Sequence, residues 1–61
     1  MMTALYQIRR DLLHLVDEIS DRSDREEWET IVILQCQEVE EENLPLYQLE
    51  SLQGVLMEIY P

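Results

Sequence analysis

Asp11-Leu-Leu-His14 sets a carboxylate and an imidazole three residues apart, the spacing that puts two ligands on one helical turn. A metal site of that kind needs several more inward carboxylates, and His14 falls roughly opposite the Leu12/Leu15 stripe, on the outer side, so no metal is expected. Cys36 is the single cysteine. It has no cation beside it in sequence to hold a thiolate, and it reads as a small hydrophobe at the edge of a buried face. With one His, one Cys and no Lys, the chain offers no nucleophile–base pair at a recognisable spacing. The Asp-Gly pattern of a calcium loop is missing as well. These residues argue against an enzyme and imply no cofactor.

What remains is a concentration of carboxylates. "EVEEEN", residues 38–43, places Glu38, Glu40, Glu41 and Glu42 nearly side by side. Fourteen acids face four bases, giving a net charge of −10, and the distribution is uneven. All four arginines fall before residue 26; the chain from 26 onward carries nine acids and no base. Direct contact with nucleic acid is not expected, because such footprints are basic. An anionic membrane surface is excluded on the same ground.

At 61 residues the chain makes one domain, 1–61, near the lower size limit for independent folding. A lone cysteine closes the disulfide route to extra stability and fits a reduced, cytoplasmic setting. No leader is expected from "MMTALYQIRR", whose arginines follow rather than precede its apolar residues. The run "IVIL" is far short of the ~20 residues that a membrane helix requires. Abundant acid without Lys also suits a high-salt cytoplasm, where a need for molar salt to fold would favour habitat over partner.

The elements follow from period. Leu5, Ile8, Leu12, Leu15 and Ile19, widened by Val16, repeat at 3, 4, 3, 4 and predict a helix over 3–20 with Thr3 as its cap. Ser23 and Glu26 form a capping-box pair, so a second helix is expected over 24–43 with Trp28, Ile31, Val32 and Val39 inward and Gln35 interrupting. The β-branched stretch "ETIVILQCQ" admits a strand, but Glu and Gln on both flanks and the lack of a pairing partner favour helix. Pro45 suits the first turn of a third helix over 45–60, where Leu49, Leu52, Leu56 and Ile59 repeat at 3, 4, 3 and Pro61 stops the run. An all-α three-helix bundle, or a helical hairpin plus a third helix, is the expected architecture.

On the second helix, Glu26, Glu29, Ile33, Gln37 and Glu40 share one side at 3, 4, 4, 3, so an isoleucine stands inside an acidic ladder away from the core. With Glu41 and Glu42 these residues form the expected partner-binding surface. Carboxylates at a helix C-terminus oppose the macrodipole and one another, and a local rule broken without local gain points to function. Charge would steer the encounter with a basic surface, and the isoleucine would anchor it.

A rod of carboxylates imitates a duplex, which carries one negative charge per ~1.7 Å of axis. In size and charge the chain resembles the small acidic phage-encoded inhibitors of CRISPR effectors and restriction enzymes, a class without a common motif. That resemblance implies an inhibitor or modulator acting as a DNA mimic on a partner's nucleic-acid-binding surface. A second surface is expected on the third helix, where Tyr47, Ser51, Gly54 and Met57 lie off the leucine stripe and would let another helix approach in a homodimer. The corresponding function is that of a helical dimeric adaptor, antitoxin or phage assembly factor.

Overall fold

The first helix, α1, runs Thr3–Asp17 and buries Leu5, Leu12 and Val16 along the expected stripe, with Ile8 and Leu15 half-buried beside them. A computed structural model describes residues 3–60 as α1, α2 (Arg22–Glu42) and α3 (Tyr47–Ile59), without strands among those residues. The Thr3 side chain and Pro61, the expected cap and stop, lie outside the described residues. The ambiguous stretch around "IVIL" is helical throughout. A small all-α bundle results.

α1 ends three residues earlier than its period suggests. Backbone bonds from Glu18 N–H to the Leu15 carbonyl (3.2 Å) and from Ile19 N–H to the Val16 carbonyl (3.0 Å) tighten its last turn. That tightening carries Ile19 out of the helix and into the core, where it is buried.

α2 starts earlier than expected, and its cap is Asp21 rather than Ser23. The Asp21 carboxylate accepts from the Asp24 N–H at 3.0 Å, and Arg25 N–H reaches the Asp21 carbonyl at 2.9 Å. A cap of this kind contributes about 1 kcal/mol. The Arg25 guanidinium also donates to the Ile19 carbonyl at 3.0 Å, fastening the α1–α2 turn to the helix it precedes. Inward on α2 stand Val32, Cys36 and Val39, with Trp28 half-buried against them. Ile31, expected inside, is on the surface; Cys36 occupies the position the stripe needed.

α2 ends at Asn43 in the left-handed region (φ 53°), where its N–H and that of Leu44 both turn back to the Val39 carbonyl. Pro45 stays in the connection instead of entering α3. The turn around it lets Leu44 and Leu46 both pack against the core, and the Leu46 carbonyl accepts the first bonds of α3. Leu49 and Leu56 are buried and Leu52 half-buried, but Ile59 is 52% exposed. Tyr60 packs inward in its stead, and its hydroxyl meets the Asp24 carboxylate at 3.3 Å, tying the end of α3 to the start of α2.

α1 is the middle of the bundle. It packs along both α2 and α3, which meet each other much less. The molecule measures 33 × 18 × 15 Å, and its buried side chains are all apolar, with no buried polar atom lacking a partner among the described residues.

Candidate partner-binding surface

α2 is an unbroken helix of 21 residues, so its acids are held in a fixed register. Glu29 and Glu40 stand about 16 Å apart along the axis at 1.5 Å per residue. Glu26, Glu29, Gln37, Glu40, Glu41 and Glu42 are all exposed, and Ile33 is 41% exposed between them. Glu26 is partly neutralised by an exposed ion pair with Arg22, Nε to Oε1 at 3.1 Å, worth a few tenths of a kcal/mol.

The acids do not all face one way. At about 100° per residue, Glu42 falls on the opposite side of the helix from Ile33, and Glu41 lies roughly a quarter-turn away. Glu29, Ile33, Gln37 and Glu40 instead line the outer groove between α1 and α2. Glu29 and Glu40 therefore flank Ile33 on its own side of the helix, and Glu41 and Glu42 do not.

Sequence reasoning missed the opposite wall of that groove. Tyr6, Arg9, Arg10 and Leu13 come to it from α1, so two guanidinium groups stand beside the acidic ladder. The signal was present in the spacing: residues 6, 9/10, 13 and 17 trace a second stripe beside the leucines of α1. The Arg9 guanidinium sits 5.2 Å from the centre of the Tyr6 ring, a cation–π contact at the surface.

Arg9 also corrects the picture of Cys36. The thiol does have a cation near it, contributed across the helix pair rather than by sequence neighbours. Burial pushes the thiol above its usual range, and the Arg9 charge pulls it back only in part. Burial thus disfavours the thiolate, the form in which a cysteine reacts. His14 is exposed, as its position on α1 suggested.

On α3, Tyr47, Ser51, Gly54 and Met57 are all exposed. A Cβ built on Gly54 meets nothing within 4 Å, so nothing inside the chain requires glycine there. Gly54→Ala is therefore expected to stabilise the isolated chain by about 1 kcal/mol in urea unfolding, the helix-propensity difference. A destabilised variant would mean that a second helix closes on this face.

The described residues hold no group of three or more potential metal ligands, and none of their helices is long and apolar enough to cross a membrane. No family model, curated protein or solved structure matches the chain.

Proposed function

We propose that this chain is a small acidic protein-binding module that occupies a basic surface of a partner protein and inhibits or modulates it. The partner's nucleic-acid-binding surface is the natural target, with α2 standing in for a strand of phosphates. The observation that carries this reading is Ile33: an exposed apolar side chain fixed between Glu29 and Glu40 on a continuous helix. A solvated face that serves only solubility has no use for an anchor, whereas a binding face combines steering charge with a desolvated apolar contact.

The test is an affinity pull-down from host lysate at low and high salt, with retained proteins identified by mass spectrometry. A basic partner should be retained at low salt and lost at high salt, because exposed charges are screened beyond ~10 Å at 0.1 M. Glu29→Lys, Glu40→Lys, Glu41→Lys in one chain should abolish capture. Retention that ignores both salt and the reversals would refute the reading.

A second reading, the helical dimeric adaptor, is favoured by the open face around Gly54 beside exposed Tyr47 and Met57. Under it the chain should sediment as a dimer that Gly54→Leu splits, and the glutamate reversals should change little.

A further inference from the structure

We infer that the groove between α1 and α2 takes a single amphipathic helix of mixed charge from the partner protein, cationic along one edge and acidic along the other. This rests on the reading above and narrows it. The groove is asymmetric: its α1 wall carries Arg9 and Arg10, its α2 wall carries Glu29 and Glu40, and Leu13 and Ile33 lie between. A purely basic occupant, as a simple DNA-mimic reading implies, would be driven against the two guanidinium groups.

Those two are also the cations with charge to offer. Among the described residues the one ion pair is Arg22–Glu26, and Arg25 is spent on the Ile19 carbonyl. Arg9 lies over the Tyr6 ring and Arg10 is exposed, and neither is in an ion pair among the described residues. Charge complementarity therefore asks for carboxylates over α1 and arginine or lysine over α2, with apolar residues at helical spacing directed to Leu13 and Ile33. This is the helix-in-groove mode of recognition. The groove extends from Tyr6 to Asp17 on α1 and from Glu40 to Glu29 on α2, room for about three turns of helix at 5.4 Å each. Asp17, at the far end of the α1 wall, would meet the last turn of the visitor. A second copy of this chain has both kinds of charge, but it brings a further net −10, and long-range repulsion opposes that pairing.

Three designed helical peptides with the same leucine spacing test the assignment by fluorescence anisotropy against the full chain: arginine on both edges, arginine on one edge with glutamate on the other, and glutamate on both. The mixed peptide should bind wild type about tenfold more tightly than the all-arginine one, the value of replacing a like-charge contact by a pair. Arg9→Gln, Arg10→Gln should erase that preference, and Arg9→Glu, Arg10→Glu should invert it; both positions are exposed, so the fold should survive, as circular dichroism would verify.

An all-arginine peptide that binds wild type at least as well overturns the mixed-helix assignment, yet leaves the acidic-surface reading supported. A mixed-peptide preference that persists in the glutamate variant places binding elsewhere and overturns it too. If no peptide binds while the lysate partner is still captured through the α2 glutamates, the groove is not the contact. Concentration-dependent self-association of the chain alone, lost in the Arg9→Glu, Arg10→Glu variant, would give the groove to a second copy instead.

Discussion

Leu12→Ala should remove about half or more of the chain's folding stability at 25 °C. A domain of this length has roughly 3–9 kcal/mol of stability in total, at 0.05–0.15 kcal/mol per residue. Leu12 is 0% exposed and sits on the helix that packs against both others. Truncating a fully buried leucine costs about 2–5 kcal/mol, because a lost side chain leaves a cavity that the surroundings only partly fill. Here the loss is felt in two interfaces at once, so the upper half of that range applies. The control is Leu34→Ala on the outer side of α2, 57% exposed, which should shift stability by no more than about 0.5 kcal/mol. Urea unfolding followed by circular dichroism reads both. Should Leu12→Ala unfold at the wild-type midpoint, α1 is not the shared core element.

Glu41→Lys, Glu42→Lys is expected to move stability and binding in opposite directions. Both residues lie in the last turn of α2, which contains no basic residue, and they crowd Glu38 and Glu40. Lysines there would complement the partial negative charge of the helix end and relieve the repulsion, each change contributing a few tenths of a kcal/mol. The melting temperature should rise by several degrees in consequence, given that 1 kcal/mol shifts Tm by about 4–8 °C in a domain of this size. Association with the basic partner should meanwhile slow by about tenfold, chiefly in the on-rate, since neither side chain shares the Ile33 side of the helix. A variant that loses both stability and binding would show the carboxylates to be part of the fold instead of its cargo.

How far the sequence carried the fold can be seen at particular residues. The 3–4 spacing of Leu5, Ile8, Leu12 and Leu15, and of Leu49, Leu52 and Leu56, specified two helices and their inner faces, because burial on one side leaves a periodic trace. Ends were harder to read. The stretch "SDRSD" offers several capping side chains of similar merit, and Asp21 prevails over Ser23 where Arg25 fastens the turn to the Ile19 carbonyl. Pro45 fell outside α3 because Leu44 and Leu46, on either side of it, both reach the core. Ile59 continued the leucine period but lies at the last residue of α3, where Tyr60 can turn inward.

On the candidate surface, the acidic ladder with Ile33 was legible, since it lies within one helix. Arg9 and Arg10 share a visible stripe with Tyr6 and Leu13, but which neighbour that stripe would face was not legible, because it depends on how α1 lies against α2.

That lateral arrangement has a thermodynamic corollary. α2 and α3 share α1 as a common spine and touch each other little, so each holds its place mainly through the same rod. The outer α1–α2 groove is lined by no residue of α3. A visitor that binds only the docked α1–α2 pair lowers the free energy of the states in which that pair is formed, and hence of the spine within it, by RT ln(1 + [L]/Kd). Amides of α3 that open through loss of that spine would then exchange more slowly upon occupancy of a site they never contact, and the third helix becomes a remote gauge of the first two.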